Sequence, residues 1–599
     1  MRLYRLGVAL ALVSVVSVVA GCTATERVIE RSSVTIAHSE SFSSLNAQTS
    51  YGNRDINNAI RTLTSSGFTY YDDTPELVRD ESFGTMTVDG YDPLTITYSV
   101  NDDVRWSDGV EVDSADLLLA WAANSGALNT RGFDDEEYVG ENGQYTEDFP
   151  SDVVYFDGQH NSGLDRVTSV PRVGADERSV TLRYDEFFAD WQLAFSVGVP
   201  AHVVGARAWG MDDPLDAKDA VVEAIQNQDQ ERLAELSRAW NNAFNFTSTP
   251  DDESLLVSNG PYVVSDIVEG ERVELEPNPE YTGDRRPVIE NVIVETIADP
   301  LASVQALGAG AVDVIAPQPS AEVVDALLAL DDVSVLSGSR AGYEHIDLQF
   351  TDSKSGHFDD PLVREAFLEV LPRQQIVDEL IRPLQEDAVV TMSHVFAPGT
   401  EAYARSVESN GSAEYAEVDV AAAKQLLADA GVSSPEVCIL FSSANPRRVQ
   451  EFQLIRESAA EAGFSVTDCS QPDIIPVLGA AGTYDAALFG WTVDNLSTST
   501  PYSIFHSTEG INNLNGYANP EVDELLDTLA GLTDDGEREE ILASIDELLW
   551  ADAYGAPLYH FPAVTAHNTA VEGVSPSPLA PGLFWNVWDW RPVEPEQGE

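Results

Sequence analysis

Residues 94–121 read LTITYSVNDDVRWSDGVEVDSADLLLAW and form the most informative stretch of the 599-residue chain. Leu94, Ile96, Tyr98 and Val100 alternate with polar residues, which predicts a strand with one buried face. A polar turn, W-S-D-G at 106–109, leads to acidic and serine residues that suit the start of an apolar helix at 114–121. The stretch therefore predicts a strand, a tight turn and a helix in direct succession.

A second strand and helix pattern lies far downstream. Residues 436–441 and 464–469 have the composition of strands, and the helical pattern at 447–462 between them ends at Gly463. A strand, a helix and a second strand in this order predict a βαβ unit with parallel strands. This part of the chain therefore favours an α/β fold.

The charge of the chain is strongly negative. There are 101 acidic and 32 basic residues, a net charge of −69, and only three lysines, Lys218, Lys354 and Lys424. A field of this sign repels nucleic acids and anionic lipid surfaces, so we expect no nucleic-acid partner. The acidity either attracts a cationic ligand or forms a solvated surface. The even spread of the acids along the chain favours the solvated surface.

The N-terminus has the pattern of a secretion signal. Arg2 and Arg5 precede an apolar run at 6–20, which is shorter than the roughly 20 residues of a membrane-spanning helix. The sequence V-A-G-C at 19–22 then resembles a bacterial lipobox. This resemblance implies removal of residues 1–21 and lipidation of Cys22, which would hold the protein at the outer face of the cytoplasmic membrane. The alternative is an uncleaved anchor with an incidental cysteine.

Cys438 and Cys469 are the other two cysteines, an even number for an oxidising compartment. On adjacent parallel strands they would be offset by about three residues, or roughly 10 Å. That offset exceeds the ~7 Å limit between bridged Cα atoms unless the strands are staggered. The sequence is therefore compatible both with a disulfide and with two free thiols.

Five motifs in a fixed order resemble those of the family 5 extracytoplasmic solute-binding proteins. They are the W-S-D-G turn with its helix start, S-N-G-P-Y at 258–262, N-P-E-Y at 278–281, P-L-V-R-E-A at 361–366 and Y-A-N-P-E-V-D at 517–523. Thr282 departs from the family, which commonly has Trp there. The family contains the oligopeptide-, dipeptide- and nickel-binding proteins of ABC importers.

The resemblance implies an α/β, two-lobe periplasmic-binding-protein-like fold of type II, the large peptide-binding type, with an extra subdomain in the first lobe. We assign a tether to residues 22–33, lobe 1 to 34–340, lobe 2 to 341–568 and a return to lobe 1 to 569–599. An insertion is expected at about 205–250, formed by one polar helical segment at 217–246 that Trp240, Phe244 and Phe246 pack down. Crossovers are expected near 337–343 and 564–572. Residues 131–165 lack a sustained period and predict a long surface excursion.

The sequence contains no motif that indicates catalysis. It has no Walker loop, no H-E-x-x-H and no C-x-x-C pair, and its histidines are scattered. We therefore expect no enzyme, no cofactor and no metal site, although triads assembled from distant positions leave no local motif.

The predicted ligand site lies where the strand at 484–491 ends, because ligands of α/β lobes collect at the carboxyl ends of strands. Residues 490–494, G-W-T-V-D, match the G-W-x-x-D segment of peptide-binding family members. The resemblance implies that Asp494 pairs with the α-amino group of a peptide. Trp491 would offer an apolar wall or a cation–π face. The alternative is that Asp494 only caps the turn.

The partner for a peptide carboxylate is harder to place. Some dipeptide-binding members carry an arginine in the loop after the strand at 436–441, whereas the first arginines here are Arg447 and Arg448 at the start of the helix. Each of these two arginines is either a displaced partner for the ligand carboxylate or a surface charge. Arg340, near the expected hinge, is a weaker candidate.

These expectations combine into one function: a lipid-anchored, monomeric binding protein that captures peptides or similar small solutes and delivers them to an ABC permease with its ATPase subunits. The alternatives are another ligand, such as a nickel chelate, a sugar or another cation, or a surface lipoprotein for sensing or adhesion.

Overall fold

The computed structural model describes residues 28–74, 77–140, 142–146, 148–158, 163–492, 499–508, 510, 512–532 and 534–593. Cys22 and Asp494 lie outside the described residues. None of the helices in the described ranges is both long and apolar enough to cross a membrane.

Up to residue 332 the described chain alternates between short strands and helices. The strands are β1 (Ile29–His38), β2 (Thr69–Tyr71), β3 (Leu77–Arg79), β4 (Gly84–Tyr91), β5 (Leu94–Val100), β6 (Arg172–Val173), β7 (Ser179–Arg183), β8 (Tyr262–Val268), β9 (Arg272–Pro277), β10 (Ile289–Thr296) and β11 (Val314–Ile315). The helices are α1 (Asp55–Thr64), α2 (Ser114–Ser125), α3 (Ala201–Trp209), α4 (Pro214–Gln226), α5 (Gln230–Asn242), α6 (Pro300–Gly308) and α7 (Ala321–Leu328).

From residue 333 onward two long strands frame a helix-rich section. The strands are β12 (Val333–Leu348), β13 (Glu436–Leu440), β14 (Ser465–Asp468), β15 (Ala486–Thr492), β16 (Gly555–Asn568), β17 (Val571–Glu572) and β18 (Arg591–Pro592). The helices are α8 (Pro361–Leu368), α9 (Arg373–Ile376), α10 (Glu401–Val407), α11 (Val420–Asp429), α12 (Pro446–Ala462), α13 (Ser499–Phe505), α14 (Pro520–Ala530) and α15 (Asp535–Ala551).

One mixed sheet runs through the whole molecule. Its ten strands have the order β14-β13-β15-β12-β16-β11-β1-β10-β9-β8, and a separate four-stranded sheet has the order β4-β5-β7-β6. The predicted βαβ unit is confirmed, since β13 and β14 pair in parallel with α12 between them. The mixed α/β class is therefore confirmed as well.

The opening stretch folds as its residues predict. Leu94, Ile96, Tyr98 and Val100 are all buried on β5, and the residues between them are half-buried. Asp113 then caps α2 in a capping box, in which its side chain accepts from the backbone of Ala115 and that of Asp116 accepts from the Asp113 backbone. Each such cap contributes about 1 kcal/mol.

Separate hydrophobic cores lie on the four-stranded sheet and along the large sheet. One core combines β5, α2 and the helices α3 to α5, a second surrounds β1, α1 and β8 to β10, and a third surrounds α8, α12 and the far half of β12. The segment 582–589 packs on α1 within the second core, with Phe584 and Trp588 buried. The lobe boundaries that we assigned stay a prediction.

The 205–250 region is two helices, α4 and α5, rather than one continuous helical segment. Asp229 accepts from Arg232 as the N-cap of α5, which starts the second helix after a short turn. Trp240 and Phe244 are buried in the first core, as expected for residues that hold the segment down.

β12, with 16 residues, and β16, with 14 residues, continue through both halves of the sheet. They pair from Val333 with Asn568 to Asp347 with Gly555. The register shifts between Ser339 and Tyr343, where residues 340–342 of β12 face only residue 561 of β16. This bulge divides the crossing strands into two paired halves.

The two cysteines form a disulfide with a Cα–Cα distance of 5.6 Å. Our predicted offset is wrong because the strands are staggered. Cys438 pairs in register with Thr467, so that Cys469 lies only two residues beyond. Lys354 donates from Nζ toward both sulfur atoms, at 3.4 Å from Cys438 and 3.1 Å from Cys469.

Candidate ligand site

Trp491 lies at the carboxyl end of β15 and opposite the bulge of the crossing strand. β15 pairs antiparallel with β12, placing Trp491 opposite Tyr343 and residue 492 opposite Gly342. On its other side β15 pairs in parallel with β13. The predicted site therefore lies where the two halves of the sheet meet.

An aromatic wall surrounds Trp491. The His345 ring stacks on Trp491 with centroids 5.9 Å apart and an interplanar angle of 14°, and Phe489 meets Trp491 edge-on at 5.2 Å. Tyr343, two residues before His345, completes the row at 5.3 Å from the His345 ring. Such a wall offers an apolar surface and π faces to a ligand.

A buried acid fixes the orientation of His345. Nδ1 of His345 lies 2.8 Å from Oδ1 of Asp347, and Tyr554 donates to the other carboxylate oxygen at 3.2 Å. His345 is buried, and its Nε2 has no hydrogen-bond partner among the described residues. The sequence analysis missed this pair, although the alternation Tyr343, His345, Asp347 along one strand face was a usable signal.

Glycine at 490 is required by packing. A Cβ atom there would lie 2.3 Å from Cζ of Phe561 and 3.0 Å from the carbonyl oxygen of Tyr343. The same phenylalanine would lie 3.1 Å from a Cβ atom at Gly342. Gly490 therefore lets Phe561 close the space beneath the Trp491 strand.

Arg447 and Arg448 are not surface charges. Arg448 donates to both carboxylate oxygens of Glu344, at 2.7 and 3.3 Å, and Arg447 lies 3.6 Å from the same carboxylate. Arg447 also lies 3.5 Å from Glu451, which accepts a hydrogen bond from the Tyr559 hydroxyl. Both glutamates are 0% exposed, whereas the arginine side chains are 18% and 16% exposed.

This charged network contains two buried carboxylates close together. Burial and the neighbouring Glu344 carboxylate raise the pKa of Glu451 from 4.5 to about 8. The arginines hold buried acids, so a role for them as the partner of a ligand carboxylate stays a prediction.

Arg340 is exposed on β12 and forms no ion pair within the described ranges. Its charge acts on His38 at the end of β1, where burial first and Arg340 more weakly lower the pKa. Arg340 therefore lies in the bulge of β12, close enough to His38 to influence its titration. In the part of the chain that the structure describes, no group of three or more His, Cys, Asp or Glu side chains is placed to hold a metal ion.

The family profile of bacterial extracellular solute-binding proteins, family 5 Middle, matches residues 89–513, more than half of the chain. The chain belongs to this family. The predicted membership is therefore confirmed, and with it the extracytoplasmic setting of the family and its class, solute-binding proteins that work with ABC permeases.

Relatives extend the match beyond the profile. An uncharacterized lipoprotein of Mycobacterium tuberculosis is 27% identical over 541 residues, covering 88% of this chain and 87% of the relative. An oligopeptide-binding protein of the same organism is 23% identical over 497 residues, covering 82% of this chain and 73% of the relative.

A solved structure of a periplasmic EDTA-binding protein is similar with a TM-score of 0.74 and 21% identity, covering 94% of this chain and 96% of that chain. At this identity the likeness shows the fold alone, and it confirms the two-lobe periplasmic-binding-protein fold.

Proposed function

We propose that this family member is the lipid-anchored substrate-binding component of an ABC importer, which captures peptides or similar small solutes between two lobes. The observation that carries this proposal is the position of Trp491. It ends a strand beside the bulge where the two halves of the large sheet meet. Ligands held at such a junction contact both halves, so their binding energy favours a closed form.

Recognition of the peptide amino group is assigned to Asp494. It follows Trp491 by three residues, in the G-W-x-x-D segment that peptide-binding family members use for this purpose. A carboxylate beside an indole suits an ammonium group, because a charge-assisted hydrogen bond and a cation–π contact act together. A relative named as an oligopeptide-binding protein supports the peptide assignment.

Calorimetry with a peptide mixture tests this assignment. Asp494→Ala should weaken binding by about tenfold or more, and N-acetylation of the peptide should have a similar effect on the wild type. Asp387→Ala removes an exposed acid from the second half of the chain and serves as the control. Equal affinities for wild type and Asp494→Ala would rule out Asp494 as the ammonium site.

Lipid anchoring at Cys22 is a separate part of the proposal. The lipobox-like sequence supports it, as does the lipoprotein name of the mycobacterial relative. Metabolic labelling with a fatty acid should mark the wild type and not Cys22→Ser. Retained label in the variant would contradict lipidation at Cys22.

Native mass spectrometry of protein purified from its own source identifies the solute directly. A carried-over peptide supports the proposal, whereas a chelate or a sugar would replace peptide as the ligand. Recovery of the solute unchanged after incubation is expected for a binding protein, and its hydrolysis would contradict that role. The same spectrum should show one copy of the chain.

A further inference from the structure

A cavity lies within residues 45–258, away from the Trp491 strand. Its volume is about 30 Å³, room for one or two water-sized groups, and it is partly open to solvent. The polar side chains that line it belong to Asn46, Gln48, Arg61, Thr64, Ser65, Trp106 and Ser258. It carries no carboxylate, although acids outnumber bases by 101 to 32 along the chain.

Arg61 brings an uncompensated positive charge into this cavity. Its Nη2 donates to the hydroxyl of Ser196, and it forms no ion pair with any residue that the structure describes. Burial alone lowers the pKa of Arg61 to about 10, with no nearby acid acting against it. Arg61 is half-buried, and withdrawing a guanidinium group from water without a counter-charge is unfavourable.

Other buried cations of the same region all have carboxylate partners. Arg285 lies 3.2 Å from Asp80, and Lys218 lies 2.9 Å from Asp116 and 3.0 Å from Asp113. Arg61 therefore differs from its neighbours in lacking an acid.

Two further side chains of the cavity have unused hydrogen-bonding atoms. The Trp106 indole is 1% exposed, and its Nε1 has no partner among the described residues. Oε1 of Gln48 is also buried and without a partner, although it lies next to Gly198, where a Cβ atom would approach it to 2.1 Å. The indole N–H can only donate, and the amide can turn its NH₂ group inward.

We propose that this cavity binds a small monoanion, the size of a halide ion or a carboxylate group, with Arg61 as its counter-charge. The guanidinium group, the Trp106 N–H and the Gln48 amide supply donors for such an ion. The anion is either free in the medium or a carboxylate of the captured solute. The second source rests on the proposed function, and the first does not.

Thermal unfolding of the mature protein at one ionic strength tests for the free anion. Bromide and acetate should each raise the Tm by about 1–2 °C relative to gluconate, which is too large for the cavity. Arg61→Gln should abolish this difference. Arg54→Gln removes an exposed arginine at the N-cap of the same helix and should retain it.

Anomalous diffraction from crystals of the wild type soaked in bromide tests the site without any variant. An anomalous peak within hydrogen-bond distance of the Arg61 guanidinium would establish a free-anion site, even if Arg61→Gln did not fold. Asp494→Ala should leave this peak and the bromide effect on Tm unchanged, which separates the cavity from peptide binding.

Calorimetry with the solute identified by mass spectrometry tests whether a carboxylate group of that solute occupies the cavity. If it fills the cavity, its affinity falls about tenfold or more in Arg61→Gln and stays unchanged in Arg54→Gln. The proposal is overturned if bromide gives no peak, anions do not change the Tm, and the two variants bind the solute equally.

Discussion

Nη2 of Arg538 lies 3.3 Å from Oδ1 of Asp190, which joins α15 to a segment 348 residues earlier in the chain. The arginine side chain is 17% exposed and the aspartate 7%. Arg538 belongs to the helix-rich second section and Asp190 follows β7, so this ion pair joins two sections that are distant in the chain. If these sections belong to different lobes, as we predict, the pair forms only in the closed arrangement.

Arg538→Gln should therefore destabilise the closed form. A partly buried ion pair contributes about 1 kcal/mol, so the affinity for the solute should fall about fivefold, and the radius of gyration of the loaded protein should increase. Calorimetry and small-angle X-ray scattering measure the two effects. Arg405→Gln is the matched control, since Arg405 pairs with Glu539, the next residue of α15, within the second section. An equal loss of affinity in both variants would contradict a closing role.

The disulfide between Cys438 and Cys469 should stabilise the second section. It closes a loop with a sequence separation of 31 residues. Chain entropy predicts that its reduction lowers the free energy of unfolding by about 3–4 kcal/mol. Urea unfolding with and without reductant measures this change. The double variant Cys438→Ala with Cys469→Ser should have the same urea midpoint with and without reductant. A shift of its midpoint by reductant would show that the loss of stability does not come from this disulfide.

The buried Glu451 should make stability depend on pH. Its pKa rises on folding from 4.5 to about 8, so its contribution is complete below pH 4.5 and is lost as the pH rises toward 8. Glu451→Gln cannot ionise. The stability of this variant relative to the wild type should therefore increase with pH in this window, by up to about 1.4 kcal/mol per pH unit.

Urea midpoints at several pH values between 4.5 and 8 measure this difference. Glu457→Gln changes an exposed acid on the same helix and should follow the wild type at every pH. A constant difference between Glu451→Gln and the wild type would show that Glu451 is already ionised.

Gly490→Ala should destabilise the junction of the sheet, because the added methyl group meets Phe561 and the Tyr343 carbonyl. Overpacking of this kind costs about 1–3 kcal/mol, and the displaced Trp491 should also weaken ligand binding. Gly338→Ala, on the neighbouring strand β12, adds a methyl group with no atom within 4 Å and should be nearly neutral. Urea unfolding and calorimetry measure the stability and the ligand affinity of both variants. Equal values for the two variants would refute the packing argument.

Most of the fold could be predicted from local sequence patterns. The alternation at 94–100, the helix start at Asp113 and the βαβ unit around α12 each depend on residues that lie close together in sequence, so periodicity and capping rules reveal them. The break between α4 and α5 was missed because a short turn between two polar helices leaves the period almost intact.

The surroundings of the candidate site depend on distant contacts. Glu344 is 104 residues from Arg448, and Tyr559 is 108 residues from Glu451, so nothing near either arginine indicated that it was buried. The stagger that brings Cys438 to Cys469 likewise follows from the pairing of β13 with β14. Trp491 could be proposed because a strand end followed by a recognisable segment is a local signal, and its contact with a ligand stays a prediction.

The bulge at residues 340–342 gives the crossing strands a pivot. β12 and β16 stay hydrogen-bonded on both sides of it, so one half of the sheet can turn against the other without loss of register. Trp491 faces Tyr343 beside this pivot, whereas the ion pair of Arg538 and Asp190 joins the two halves outside the sheet. We expect a ligand at the proposed site beside Trp491 to bias rotation about this pivot, and with it the distance between Arg538 and Asp190.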